Sequence, residues 1–110
     1  MTVSVDKNEE LRKAASEGNV DVVKKLLDEG VDINSCNEHG MTPVMAAVCC
    51  FKREAVDLLV RRGADVNQKN EHGRSAVFMA DEATRKVIFN AIKEMKEKQK
   101  SQTKEVVQER

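Results

Sequence analysis

The side chains with reactive potential are two histidines, three cysteines and the carboxylates beside them. Both histidines stand in the same tripeptide, Glu38-His39-Gly40 and Glu71-His72-Gly73, with Cys36 shortly before the first. Imidazole, thiolate and carboxylate are the ordinary ligands of a transition metal, which holds four of them near ~2 Å. Equivalent positions on stacked units lie roughly 10 Å apart, the spacing of neighbouring helices. That is too far for one tetrahedral ion unless the side chains converge, so no metal site is expected. Nucleophilic catalysis needs a Ser or Cys beside a general base. Cys49 and Cys50 have no histidine adjacent in sequence, and both histidines belong to the far end of the unit described next. These thiols are expected to be inert. No Gly-x-Gly-x-x-Gly or Gly-Lys-Ser/Thr segment is present to cradle a phosphate, so no cofactor is called for. The chain is expected not to be an enzyme.

Both tripeptides sit inside a longer stretch that the chain writes twice. Gly30-Val31-Asp32-Ile33-Asn34-Ser35-Cys36-Asn37-Glu38-His39-Gly40-Met41 returns 33 residues later as Gly63-Ala64-Asp65-Val66-Asn67-Gln68-Lys69-Asn70-Glu71-His72-Gly73-Arg74, with seven of twelve positions identical. A period near 33 marks a stacked-repeat architecture, in which each unit packs only on its neighbours. Asp32 and Asp65 read as turn formers rather than paired catalytic carboxylates. Asn34 and Asn67 can satisfy backbone groups of the next turn.

The flanking segments carry helical spacing. Asp6 or Asn8 can cap a first helix, with Glu9 and Glu10 in its first turn and Leu11, Ala14 and Ala15 on one face. Gly18-Asn19 stops it. Val22, Val23, Leu26 and Leu27 then form the apolar stripe of a second helix that Gly30 ends. Thr42-Pro43 opens a third as cap and first helical residue. Val44, Ala47 and Val48 repeat the first stripe, and Ala55, Val56, Leu59 and Val60 repeat the second. Val77 and Ala80 take the slots of Val44 and Ala47. In the last helix, one deletion in the Asp81–Thr84 turn brings Val87, Ile88, Ala91 and Ile92 into the stripe and keeps Lys93 out of the core. The segment after residue 98 is charged and reads as a helix continuing into solvent, with glutamines where a coiled-coil seam would need apolar residues.

Composition sets outer bounds. The 110 residues carry 19 basic and 19 acidic side chains, 40% apolar residues, three Phe and no Trp or Tyr. A core of Leu, Val, Ile, Ala and Met suits closely spaced helices. Balanced charge gives no reason to expect nucleic acid or an anionic membrane as partner. No apolar run approaches the ~20 residues of a membrane span, and the N-terminus lacks a signal-peptide pattern. An odd number of cysteines without Cys-x-x-Cys spacing points to a reducing compartment, cytoplasmic or nuclear. A core this small should bury only about 60–65% of its unfolded surface, so stability should be modest.

Thr42-Pro43-Val44-Met45-Ala46-Ala47 resembles the Thr-Pro-Leu-His-x-Ala signature of the ankyrin-repeat family, and Gly63-Ala64-Asp65-Val66-Asn67 is similar to that family's turn. The resemblance implies an all-α solenoid of helix-turn-helix units joined by β-turn or hairpin fingers. It covers residues 8–98 as repeats 8–36, 37–69 and 70–98, after a tail at 1–7 and before a charged tail at 99–110. Met45 replaces the signature His, and Phe51 stands where the family usually turns on Gly; its ring is expected to pack locally. Ser75-Ala76 and Asp81 mark the third repeat as a terminal cap. The resemblance further implies a protein partner held by the turn tips and the exposed face of each first helix. Those positions are Ser16 and Glu17; then Glu38, His39, Met41, Cys49 and Cys50; then Glu71, His72, Arg74, Glu82 and Ala83. Their acidic balance hints at a basic patch on the partner, and the chain is expected to be a monomer. The alternative is a structural fragment or terminal cap of a larger ankyrin array; the degenerate third repeat, the charged tail and a capped helix soon after Met1 argue against it.

Overall fold

The fold is taken from a computed structural model that describes the backbone of residues 6–108 and side chains up to residue 97. Its helices are α1 (Lys7–Glu17), α2 (Val20–Asp28), α3 (Pro43–Cys49), α4 (Arg53–Arg61), α5 (Ala76–Met79) and α6 (Glu82–Gln108), with no strand among the described residues. None of these helices is long and apolar enough to cross a membrane. Successive pairs stack in a row: α3 packs on α1 and α5 on α3, forming an inner layer, while α4 lies between α2 and α6 in an outer layer.

Capping side chains set where α1, α2, α3 and α5 start, while α4 begins after Lys52 without one. Asp6 accepts from the Asn8 N–H, Asn19 from Val22, Thr42 from Met45 and Ser75 from Phe78. Each supplies an acceptor to an amide with no partner inside the first turn. α1 ends on Gly18 at φ 73°, whose N–H reaches the Ala14 and Ala15 carbonyls. The matching corner after α3 is Phe51, at φ 58°. An L-residue there is strained, and its ring does not pack as expected: it is 62% exposed. The left-handed backbone aims the side chain out of the turn.

The core follows the repeat, and its burial grades from the middle outward. Ala55, Val56, Leu59 and Val60 of α4 are all buried, because α4 has a helix on either side. In α2 only Val23 and Leu26 are buried; Leu27 is half-buried and Val22, expected in the core, is 36% exposed. In α6 Ile88 and Ala91 are fully buried, Val87 and Ile92 are half-buried, and Phe89 and Lys93 face solvent. The one-residue deletion therefore describes the register correctly. α3 is buried from Pro43 to Val48 on all sides, and alanines at 14, 15, 46, 47, 76 and 80 let the inner helices approach closely.

The third pair departs from the first two. α5 stops at Met79, about one turn earlier than α3 would suggest, and α6 begins correspondingly early at Glu82. Asp81 accounts for this: its carboxylate accepts from the Thr84 N–H at 2.9 Å and its carbonyl accepts from the Arg85 N–H at 2.8 Å, so it caps α6. Arg85 then donates to the Val77 and Ala80 carbonyls, which a longer α5 would have paired with its own amides.

Candidate protein-binding surface

Each finger is built by one asparagine. The Asn37 side-chain oxygen accepts from the His39 and Met41 N–H groups, and the Asn37 N–H closes the hairpin on the Met41 carbonyl. Asn70 repeats this with His72, Arg74 and the Arg74 carbonyl. At the finger bases Asp32 and Asp65 accept from the N–H two residues on, as turn formers do. Asn34 accepts from the Asp65 N–H of the next finger at 2.8 Å, the stacking role expected for it. Sequence reasoning passed over Asn37 and Asn70; their identity in both repeats, two residues before each His, was the available signal.

The two fingers touch at their tips. The Glu71 N–H donates to the His39 carbonyl at 2.9 Å. Gly40 makes the approach possible: a Cβ there would lie 2.7 Å from the Asn70 Cα. Above this contact the histidine rings converge, against the expected separation. One oxygen of Glu71 lies 3.1 Å from His39 Nδ1 and 3.4 Å from His72 Nε2. The carboxylate, placed between adjacent fingers, draws both rings inward. Glu38 stands 3.7 Å from the other ring nitrogen of His39. Among the described residues, no group of three His, Cys, Asp or Glu side chains is placed to hold a metal ion.

Glu38, His39, Glu71, His72 and Arg74 are exposed, and Met41 is half-buried beside them. These six candidates form one continuous edge. Ser16 and Glu17 close α1, with the Ser16 hydroxyl donating to the Lys13 carbonyl, and Cys49 and Cys50 close α3. These four therefore sit about 10 Å along the inner helices from the fingers. Cys49 and Cys50 are both exposed. Partial burial of the sulfur, with Cys50 alongside, pushes the Cys49 thiol above its ordinary range, the opposite of an activated nucleophile. Glu82 and Ala83 do not lie on a first helix. They form the first turn of α6, because the Asp81 cap starts that helix early.

The surface is thus a hydrogen-bonded hairpin edge beside an inner helix layer, and comparison with known proteins agrees with that geometry. The family described as ankyrin repeats, in three copies, matches residues 7–102. Over 55 residues, half of the chain, it is 39% identical to ankyrin repeat, SAM and basic leucine zipper domain-containing protein 1 of Mus musculus and of Oryctolagus cuniculus. The Otolemur garnettii protein of that name is 37% identical over the same length. The matched segment spans 12% of the length of these relatives. Ankyrin repeats are generally protein-interaction modules. The match over residues 7–102, on a stack of helix pairs joined by hairpin fingers, shows that this chain belongs to the ankyrin-repeat family.

Proposed function

We propose that the chain is a non-enzymatic interaction module that binds a protein partner along the fingertip edge and the adjoining ends of the inner helices. The observation that carries this reading is a contrast at the tips. The backbone there is tied by Asn37, Asn70 and the bond between Glu71 and His39, while the side chains it presents stay exposed. A surface already ordered before binding loses little conformational entropy when a partner docks. Glu17, Glu38 and Glu71 outnumber Arg74 along it, which favours a partner with a basic patch. Three free thiols support a reducing compartment, cytoplasmic or nuclear.

Affinity capture followed by mass spectrometry identifies the partner, and a quadruple variant tests the site. Changing Glu38, Met41, Glu71 and Arg74 together to Ala should weaken binding at least about tenfold, which corresponds to about 1.4 kcal/mol. Glu38, Glu71 and Arg74 are exposed and Met41 packs only partly on the core, so circular dichroism should show the variant folded, with the thermal midpoint lowered chiefly by the loss of Met41. Wild-type binding should also weaken as salt rises. Unchanged affinity in the quadruple variant would show that the partner binds elsewhere.

A further inference from the structure

The repeats stack by a rule that recurs along the outer helices. Asp28 at the end of α2 receives Arg62 from α4, 34 residues on, and Arg61 beside it reaches Glu94 of α6, 33 residues on. In the register that the buried residues define, Asp28, Arg61 and Lys93 occupy one slot, facing the following repeat. Glu29, Arg62 and Glu94 occupy the neighbouring slot, facing the preceding one. Each rung so far pairs opposite charges. Lys93 and Glu29, the outermost members of the two slots, are also opposite in charge.

Apolar residues show the same two unfilled halves. Met45 is fully buried in the middle repeat, while Phe78, its counterpart 33 residues later, is 67% exposed. Phe89 and Lys93 are one turn apart and share a flank of α6, away from Glu94 and its contact with α4; Phe89 is 50% exposed. At the opposite end, Val22 is 36% exposed where its counterpart Ala55 is fully buried. Where a finger follows α2 and α4, α6 instead runs on as helix through Gln108.

We propose that this chain associates head to tail. The Phe78–Phe89–Lys93 face of one copy would receive the Val22–Glu29 face of a second copy, in the position a further repeat would take. The molecule indicates the occupant: twice within the chain, a face of this kind is covered by the N-terminal side of another helix pair, and among the described residues one such side, marked by Val22, is left exposed. Lys7 already holds one Glu29 oxygen at 3.1 Å, so the Lys93–Glu29 rung sets register while the aromatic rings supply most of the attraction. Joining unlike faces leaves a free end on every assembly, so growth is open-ended. This departs from the monomer that the sequence suggests, and it does not depend on the fingertip surface.

Sedimentation velocity over a range of concentrations, with circular dichroism as a control for folding, tests the proposal. The wild-type mass should climb above the 12.3 kDa of a single chain as concentration rises. Phe89→Glu and Val22→Glu change exposed positions, so both variants should fold and each alone should stay monomeric. Mixed, they should form a one-to-one dimer and nothing larger, because one intact face of each kind remains. A wild-type chain of constant mass into the hundreds of micromolar overturns the proposal. So does a variant that still associates alone, or a mixture that fails to pair while the wild type associates.

Discussion

Two glycines with nearly the same backbone have different duties. Gly40 and Gly73 both turn a finger at positive φ, 79° and 75°. A side chain at either forces an L-residue into the left-handed region, at about 1–2 kcal/mol. At Gly73 nothing lies within 4 Å of the added Cβ, whereas at Gly40 the Cβ would run into the Asn70 and Glu71 backbone. Gly73→Ala should therefore lose about 1–2 kcal/mol in urea unfolding. Gly40→Ala should lose clearly more and should expose the Glu71 amide to hydrogen exchange, since the neighbouring finger must move away. Equal losses would mean that the finger contact adds nothing to stability. The repeated sequence made both turns legible but hid this difference, because identical residues gave no sign of which finger has a neighbour above it.

Among the elements, the third helix pair shows how one residue moves a boundary. Asp81 ends α5 early by capping α6. The Thr84 hydroxyl and N–H next to it hold its carboxyl below the ordinary range. Of the two, the N–H is the firmer cause, because the hydroxyl meets no acceptor with hydrogen-bond geometry. A carboxylate with a depressed folded value adds stability above its unfolded value and loses it as pH falls through the folded one. Asp81→Ala should thus lower the urea midpoint at pH 7, and the gap to wild type should narrow as pH is taken below about 4. A gap that stays constant with pH would assign the effect to packing instead. The sequence marked Asp81 as a departure from the repeat pattern. It did not show that Glu82 and Ala83 would thereby pass from a first helix to α6.

In the whole molecule, stability is concentrated in the middle. Among the described outer helices, α4 has a helix packed on each side, and Leu59 lies fully buried in it. Leu59→Ala should cost about 2–5 kcal/mol, a large share of the total for a small stacked domain. Because α4 packs on both α2 and α6, hydrogen exchange should rise across α1 to α6 together. Leu27→Ala, in a half-buried slot of the first pair, should loosen α1 and α2 while leaving α4 to α6 protected. Faster exchange confined to α4 after Leu59→Ala would show that the repeats do not share one cooperative unfolding event.

The period of 33, the capping residues and the apolar stripes depend on neighbours along the chain, so the sequence by itself determined the helix pairs, their fingers and their stacking order. It also disclosed the α6 register, since the ungapped count would put Lys93 in the core. Which apolar residues would be covered was decided only in three dimensions: the stripe residue Val22 and the ring of Phe89 lie on outer flanks that no described repeat covers. The convergence of His39 and His72 on Glu71 belongs to the same class, because it depends on how far one finger leans over the next. Spacing along a chain specifies which residues share a face. What lies against that face is set by contacts between distant segments, which a repeated sequence describes identically at every level of the stack.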